Sequence, residues 1–478
     1  MAKGVRTKWY VDIRGYHSRV TGSCIRNTIH FSNGEKFRFL VDYGVYQGER
    51  ETTDEVLTYN DSVNPEKIDT VLLTHTHLDH DGALPMFIRN GYSRNIYMSI
   101  PTSILLPVSL EDSFNVMKNI CKTKKQPMLF KEENIFQTLK HVCAVKYEET
   151  ISTIHPNINV TFFNNGHLTG SSMILVQIFD PCGERINLLF TGDYKKDNIF
   201  LDLNPLPDWV LKLDNLTIIT ESTYGDTDSK DVEKVWADNI KEACKNDSII
   251  VIPVFAQGRM QEIMYNVKLL QKEGIIPDNY IIEIAGKTGI KYNSVYMSRF
   301  RDLCIKEEMA SFIPNNIHIV DSKSSMSVRC DNKKPRIIIT TSGMGNFGPA
   351  NSYIPEVLPN PNAVIHFTGY MAEGTLGRKL QETRLGESVT IKGSMEIPRR
   401  AKIFSTSEFS SHAKADELID FINKFNPRAV LVNHGEHEVK SIFAKRVAEN
   451  TSARKVGILG EGFVYRIDPY GIVKPVKK

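Results

Sequence analysis

Three histidines and one aspartate fall within six residues of this chain, as His75, His77, Asp79 and His80. Neutral imidazole and carboxylate are the ligand types that suit zinc and its neighbours in the transition series. A spacing of two puts His75 and His77 on one side of an extended chain, so Asp79 and His80 face a second position. The cluster therefore predicts a site for two metals. A solvated polar loop is the alternative, but 13 histidines in 478 residues make so dense a chance cluster improbable.

The elements that position this cluster are short apolar strands. The apolar run over residues 68–73 predicts a buried strand, with the cluster on the loop that leaves it. Four other segments have the same design, in which an apolar strand ends in polar residues and a glycine that permits a tight turn. They lead to Asp42, His167, Asp193 and His434. Each alone fits an ordinary turn, but together with the first cluster they complete a two-metal site with a bridging carboxylate.

The order of these residues resembles the signature of the metallo-β-lactamase superfamily. Downstream, residues 219–225, 409–412 and 432–436 resemble the three motifs of its β-CASP subfamily. Residues 252–259 and 369–376 resemble parts of the β-CASP region in the endonuclease subunit of the cleavage-and-polyadenylation machinery and its bacterial and archaeal relatives. The resemblance runs from about residue 20 to the last residue of the sequence.

The resemblance implies two Zn²⁺ ions per chain. Three residues would bind the first zinc and three would bind the second. One carboxylate would bridge the two ions, and another would orient a ligand from behind. These are His75, His77 and His167 for the first ion, Asp79, His80 and His434 for the second, Asp193 as the bridge and Asp42 as the carboxylate that orients a ligand imidazole.

The resemblance also implies a hydrolytic mechanism. Hydroxide held at the metals would attack the phosphodiester, leaving 5′-phosphate and 3′-OH ends, and His412 would protonate the leaving oxygen. Glu221 would keep that imidazole protonated, and Asp79 and Asp42 complete the catalytic set. Histidine in the third motif, here His434, goes with RNA nucleases in this family, so single-stranded RNA is the expected substrate.

One position departs from the family pattern. Members often carry aspartate two residues after the second-motif histidine, whereas this chain has Lys414. Residues 415–422 read as the start of an amphipathic helix, and we expect Lys414 to lie on the surface beside it.

The motif order predicts the fold class, an α/β protein with a metallo-β-lactamase αββα sandwich and an inserted β-CASP α/β domain. Ligands before residue 225 must meet His434, so the core should comprise residues 1–225 and 401–478 and the insert residues 226–400. Within the insert, apolar runs at 248–253, 281–285, 317–320 and 336–340 alternate with a helical pattern at 260–271. Such alternation predicts a mostly parallel sheet.

Two small-residue turns in the insert are candidate phosphate contacts. Residues 341–345 follow a predicted strand, and residues 374–378 combine glycine with a cation, so backbone N–H groups could face an anion. Ser342, Gly343 and Arg378 are the predicted substrate contacts, provided that the turns face the cleft between core and insert. Ordinary turns are the alternative.

Composition sets broad limits. A formal net charge of +3 does not announce a nucleic-acid binder, and we expect the short basic runs at 122–125, 399–402 and 474–478 to be solvated surface. Seven cysteines without C-x-x-C spacing predict free thiols in a reducing, cytoplasmic compartment. No apolar signal region begins the sequence, and no apolar stretch approaches about 18 residues, so a membrane span is not expected.

The sequence therefore predicts a zinc-dependent ribonuclease. A hydrolase acting on DNA, a nucleotide or a thioester is one alternative, because this superfamily core hosts many chemistries. A non-catalytic RNA-binding subunit is another, although no ligand is missing here. Endonuclease versus 5′-to-3′ exonuclease activity, sequence preference and oligomeric state, a homodimer included, stay open.

Overall fold

Most of the predicted apolar runs form strands with closely matching bounds, although the run at 68–73 forms only the short strand Thr70–Leu72. In the computed structural model, strands occupy Ile281–Ala285, Ile317–Val320, Arg336–Thr340 and Ala429–Val432, as predicted, and the predicted helix at 260–271 occupies Arg259–Lys272. The structure describes residues 9–16, 21–45, 63–181, 183–320, 334–346, 348–369, 371, 374–391, 395–460, 463–470 and 473–477. Parts of the 369–376 and 474–478 segments and two of the cysteines, Cys182 and Cys330, lie outside these ranges.

Contacts divide the chain into two compact units, residues 1–229 with 411–478, and residues 230–410. The inserted unit thus ends ten residues later than the predicted bound of 400. The reason is that Lys402–Ser405 pairs in parallel with Ala363–Phe367 inside the sheet of the second unit.

The first unit contains two sheets. In the described part of the chain, the first sheet has the order β23-β22-β1-β2-β3-β4-β5-β6. Its strands are β1 (Tyr10–Gly15), β2 (Ile25–His30), β3 (Lys36–Val41), β4 (Thr70–Leu72), β5 (Ile96–Ser99), β6 (Val142–Val145), β22 (Phe463–Ile467) and β23 (Val473–Lys477). The second sheet has the order β21-β20-β11-β10-β9-β8-β7. Its strands are β7 (Thr150–His155), β8 (Ile158–Asn164), β9 (Ser172–Phe179), β10 (Arg185–Phe190), β11 (Leu216–Thr220), β20 (Ala429–Val432) and β21 (Lys455–Ile458).

The two sheets bury a shared core. Alternate residues of β1 to β3 meet the inward side chains of β8 to β11, with Phe39, Phe162 and Phe190 among them. Helices cover the outer faces where these are apolar, which in the first sheet is over β3 to β5. The helices of this unit are α1 (Leu78–Asp81), α2 (Leu84–Arg89), α3 (Ile100–Lys124), α4 (Glu132–Lys140), α5 (Asp208–Leu211), α11 (Ala415–Ile422) and α12 (His437–Asn450).

The helices α2 to α4 pack against the first sheet, and α11 and α12 pack against the second. The layers therefore run helix, sheet, sheet, helix, which confirms the predicted αββα sandwich.

The second unit is built on a parallel sheet. The order of the described strands is β14-β13-β15-β12-β16-β19, and the pairs between them are parallel, as predicted. The strands are β12 (Ile249–Pro253), β13 (Ile281–Ala285), β14 (Ile317–Val320), β15 (Arg336–Thr340), β16 (Ala363–Phe367) and β19 (Lys402–Ser405), with a hairpin of β17 (Ser388–Ile391) and β18 (Met395–Pro398). Its helices are α6 (Trp236–Lys245), α7 (Arg259–Lys272), α8 (Lys287–Ser298), α9 (Ala350–Val357) and α10 (Leu376–Glu382). Short 3₁₀ helices occupy Pro65–Lys67, Ser229–Asp231 and Glu307–Ser311.

Two composition-based expectations concern the cysteines and membrane spans. The cysteines in the described ranges, at 24, 121, 143, 244 and 304, are free thiols. Among the described helices, none combines the length and the apolar character that a membrane crossing requires.

Candidate metal centre

The proposed ligands converge because their strands end at one edge of the sandwich. Strands β3 and β4 are parallel, and β10, β11 and β20 are parallel, so within each sheet the carboxyl ends lie together. Asp42 follows β3 and His434 follows β20, with positive φ values of 62° and 42°. A positive φ is uncommon outside glycine and is strained, and such residues cluster at functional sites.

The first group of side chains contains three imidazoles and one carboxylate. Single ligand atoms of His75, His77, His167 and Asp193 all lie within 4.8 Å of one another. Asp193 Oδ2 is 3.6 Å from His75 Nε2 and 3.7 Å from His167 Nε2. This group has the composition of a histidine-rich metal site.

The second group contacts the same carboxylate. Ligand atoms of Asp79, His80 and His434 also lie within 4.8 Å of one another. Asp193 Oδ2 is 3.3 Å from His80 Nε2, and Asp193 Oδ1 is 3.4 Å from His434 Nδ1. Asp193 therefore contacts members of both groups, which is the position that a bridging carboxylate requires.

Asp42 lies behind the cluster and holds two of its members. Its Oδ2 accepts a hydrogen bond from His80 Nδ1 at 2.7 Å, and its Oδ1 accepts from the Thr74 backbone N–H at 2.7 Å. The Thr74 hydroxyl lies 2.9 Å from both carboxylate oxygens and 3.0 Å from His75 Nδ1. Anchored outer nitrogens fix the direction of the inner ones, as metal-ligating histidines usually require.

Two further imidazoles are anchored in the same way. Nδ1 of His167 lies 2.8 Å from the Ser411 carbonyl oxygen, to which it can donate. Nδ1 of His434 lies 3.2 Å from the Thr223 hydroxyl. Nε2 of His167 therefore faces the cluster, whereas both ring nitrogens of His434 lie near its carboxylates, Nδ1 near Asp193 and Nε2 near Asp79.

Unpaired inner nitrogens test whether the cluster fits a metal. The Nε2 atoms of His75, His80 and His434 are buried and have no hydrogen-bond partner among the described residues. An unpaired buried polar atom is costly, and each instance needs an explanation such as an ion. Three such nitrogens directed at shared carboxylates fit a bound transition metal.

The protonation states agree with this fit. Burial lowers the pKa of His75 and His167 well below the ordinary histidine value and that of His77 to about 4. These rings are therefore neutral, which is the form that binds metal. Burial also opposes protonation of His80, but the surrounding carboxylates, Asp193 foremost, hold its pKa well above the ordinary value. The surroundings of His80 therefore favour a positive charge, which either a proton or a bound cation can supply.

A hydrogen-bonded pair, His412 and Glu221, lies beside the cluster. His412 Nδ1 is 2.8 Å from Glu221 Oε2, and the Glu221 side chain is 1% exposed while that of His412 is 18% exposed. The other Glu221 oxygen accepts the Tyr194 backbone N–H at 2.5 Å. The His412 ring centroid lies 4.7 Å from that of His167. The pair therefore presents an imidazole, held by a carboxylate, next to the proposed metal ligands.

The same pair has the composition of a ligand set. Ligand atoms of Asp193, Glu221, His412 and His434 lie within 4.8 Å of one another. Proton donor and metal ligand are therefore the two roles between which experiment must decide for His412.

Comparison with known proteins agrees with this geometry. Residues 32–199 match the metallo-beta-lactamase superfamily domain, residues 260–380 the Beta-Casp domain, and residues 396–456 the Zn-dependent metallo-hydrolase RNA specificity domain. A ribonuclease of Thermus thermophilus is 29% identical over 89% of this chain and 94% of its own length. Transcription termination factor FttA of Methanosarcina mazei is 30% identical over 84% of this chain, which spans 63% of that factor.

An RNase J-like protein of Methanocaldococcus jannaschii is 31% identical over 86% of this chain and 90% of its own length. The chain belongs to the β-CASP family. This confirms the predicted family, which lies within the metallo-β-lactamase superfamily.

Lys414 corrects one expectation about this β-CASP protein. It is not at the surface, since it is only 4% exposed and its Nζ atom has no hydrogen-bond partner in the described chain. Nζ lies 3.2 Å from the Tyr224 ring centroid, and the two residues form a parallel β-bridge. Burial lowers the pKa of this ammonium to about 8. The bridge to Tyr224 fixes the backbone so that the side chain is covered.

The predicted substrate contacts lie in the second unit. Ser342 and Gly343 follow β15, and α10, which carries Arg378, begins beside that turn, since the Gly377 N–H donates to the Met344 carbonyl at 2.9 Å. Arg378 Nε pairs with Glu382 of the same helix at 2.6 Å. Contact of these residues with substrate stays a prediction.

Asp42 was expected to orient a ligand, but the other groups that do so were not predicted from the sequence. Thr74 and Thr223 lie inside motif segments, so their hydroxyls were visible in principle as polar residues at strand ends. The Ser411 carbonyl and the Tyr194 N–H are backbone groups, which every residue possesses. No side-chain pattern could have singled them out.

Proposed function

We propose that this protein is a zinc-dependent ribonuclease that hydrolyses phosphodiester bonds of single-stranded RNA and leaves 5′-phosphate and 3′-OH ends. One observation carries the proposal. His412, held by the buried Glu221, lies beside a cluster whose inner imidazole nitrogens have no hydrogen-bond partner among the described residues, and this supports a proton donor and a metal site at one edge of the sandwich.

The candidate ligands are sufficient in number for two zinc ions per chain. His75, His77 and His167 would hold one and Asp79, His80 and His434 the other, with Asp193 between them. Bound zinc supplies Lewis-acid charge and lowers the pKa of water to about 7, so that hydroxide is available at neutral pH. Asp42 keeps the His80 imidazole aimed inward, and burial keeps His75, His77 and His167 in the neutral form that binds.

His412 is assigned to the leaving group. Glu221 Oε2 lies 2.8 Å from Nδ1 and can accept its proton, which leaves Nε2 as the nitrogen that would protonate the departing 3′ oxygen. Hydrolysis by water, rather than attack by the ribose 2′-OH, gives the stated ends.

The RNA preference rests on the family and on the third motif. Residues 396–456, which contain His412 and His434, match the model described as an RNA specificity domain. Two relatives that align over most of their length carry ribonuclease names.

The test is incubation of the purified chain with labelled RNA and DNA of the same sequence, alongside measurement of zinc per chain. We expect cleavage of RNA, loss of cleavage with a chelator and recovery with Zn²⁺. Cut positions on 5′-phosphorylated and 5′-triphosphorylated RNA separate endonucleolytic from 5′-to-3′ exonucleolytic action. Cleavage of DNA alone, or an inert chain with full zinc, would contradict the proposal.

A further inference from the structure

The outer surface of the first sheet, away from the inter-sheet core, is rich in cations. Strands β1 and β2 alternate buried and partly exposed residues, so every second side chain points outward. We name the outward cations here, with the rings stacked among them, the basic strand face. Its members are Tyr10, Arg14, Tyr16, Arg26, His30, Lys36, Arg38, Arg466 and Lys474.

One end of this face contains an arginine pair. Arg14 and Arg26 are directly opposite each other in the antiparallel register of β1 and β2. Both guanidinium groups lie over the Tyr16 ring, at 4.5 and 5.5 Å from its centroid. Like charges directly opposite on a sheet repel each other. Within the described residues Arg14 forms no ion pair, and a bound anion would offset the repulsion between the two guanidinium groups.

The other end contains a second like-charge pair. Arg466 of β22 is opposite Lys474 of β23. Arg466 lies 3.8 Å from the Tyr10 ring centroid, and that ring stacks on His30 at 4.3 Å. Asp12 accepts two bonds from Arg466, at 2.8 and 3.0 Å. The guanidinium is thus held in place before any ligand arrives, which reduces the entropy lost on binding.

The face is positive as a whole. It carries six cations, and among its described neighbours on β1 only Asp12 opposes them, whereas the whole chain has a net charge of +3. These charges also affect the pKa of His30. Burial lowers its pKa first, Asp12 opposes that effect, and Lys36, Arg466 and Arg38 lower the pKa further.

The face begins at the edge that carries the metal cluster. Gly15 pairs with Ile25, and Ile25 pairs with Val41, the residue before Asp42. The arginine pair therefore lies near the ligand-bearing edge, and the Tyr10 stack lies about 13 Å farther along β1 at about 3.3 Å per residue.

We propose that the basic strand face binds the phosphate backbone of RNA outside the metal centre, an inference that rests on the proposed ribonuclease function. The planar guanidinium of arginine matches the geometry of a phosphate, and neutralising the phosphates of the RNA releases counterions. The Tyr10 ring lies between His30 and Arg466, and the Tyr16 ring is stacked with Arg14 and Arg26, so the available groups are cations rather than open rings. The contact should therefore be independent of base sequence.

The test is salt-dependent binding of the full-length holoprotein to fluorescent single-stranded RNA, with every variant placed in a His412→Ala background to slow turnover. The slope of log Kd against log salt is about 0.7 per phosphate contact for single strands, so Arg14→Gln with Arg26→Gln should lower it by about 1.4. Lys36→Gln with Lys474→Gln should lower the slope by a similar amount. Both lysines are exposed, so these substitutions should not affect folding. The affinity should fall equally for RNAs of different sequence.

The matched control changes the same charge elsewhere on the first unit. Lys212→Gln with Lys445→Gln removes two exposed lysines that pair with acids of their own helices, and it should leave the slope unchanged. An equal fall in the control, or an unchanged slope in both test variants, overturns the inference while wild-type cleavage leaves the ribonuclease function standing. Capture of a polyglutamate peptide by this face with RNA binding unaffected would identify an acidic protein as the occupant instead. A wild-type chain that neither binds nor cleaves RNA would refute the ribonuclease function as well.

Discussion

Replacing Glu221 by glutamine tests the proton-donor assignment most directly. One Glu221 oxygen accepts the Tyr194 N–H at 2.5 Å and the other faces His412 Nδ1 at 2.8 Å. A glutamine in the same rotamer must keep its carbonyl oxygen toward Tyr194, because that N–H can only donate. Its NH₂ group then faces Nδ1 and requires that nitrogen to accept.

The consequence for His412 is a change of tautomer as well as a loss of charge. With Nδ1 accepting, the neutral ring carries its single proton on Nε2 and is a far weaker acid than imidazolium. General acid catalysis contributes on the order of 10²–10⁴-fold, which corresponds to about 3–5 kcal/mol of transition-state stabilisation. We expect Glu221→Gln to lose most of this factor, close to the loss in His412→Ala.

The assay is the single-turnover cleavage rate as a function of pH, together with zinc per chain. In Glu221→Gln the rate should fall by most of the general-acid factor, because the ring is then held in its neutral tautomer. Zinc content should equal that of wild type in both variants. Zinc loss in His412→Ala would instead make His412 a ligand, and a wild-type rate in Glu221→Gln would remove Glu221 from the mechanism.

Three further predictions concern the cluster and its neighbour. Asp193→Ala should abolish cleavage and lower zinc per chain, because Asp193 contacts both ligand groups, and full activity would refute the two-metal interpretation. His434→Val should reduce the rate by more than the 10–100-fold typical of groups that only orient ligands, with unchanged circular dichroism; unchanged RNA cleavage would remove His434 from the site. Lys414→Met should stabilise the protein at pH 7 by about 1–2 kcal/mol, since a charge penalty of about 3 kcal/mol is offset by a lost cation–π contact of about 1–2 kcal/mol. Because the folded pKa of Lys414 is lowered from 10.5 to about 8, wild-type stability should rise between these values and the difference in melting temperature should shrink there; a difference independent of pH would contradict the buried charge.

Strand ends explain why so much of the site was predictable. Each proposed ligand outside the first cluster follows an apolar run, and parallel strands of one sheet bring such ends to one edge. The apolar runs are visible in the sequence because burial on both faces demands them. Once the strands are assigned, their ends lie at one edge of the sandwich. That edge therefore carries Asp42, His167, Asp193 and His434.

The remaining features depend on contacts that no local pattern encodes. The basic strand face combines residues from both ends of the chain, such as Tyr10 with Arg466, and only the register of β1 with β22 brings them together. In the sequence these cations are scattered through strands whose inner residues supply the recognisable alternation. Charge on the outer face of a sheet is therefore readable only after strand pairing is known.

Lys414 shows the same limit at a single residue. Its position at the start of α11 favours solvent, because a lysine before an amphipathic helix ordinarily extends its charge into water. The β-bridge to Tyr224, 190 residues earlier in the chain, instead lays the side chain along an aromatic ring. Glu221 is among the charges that act on Lys414, and it is also the partner of His412. Where the family usually has an acid, this chain thus places a buried cation close to the proposed proton donor, and the stability of Lys414→Met across pH measures what that cation costs.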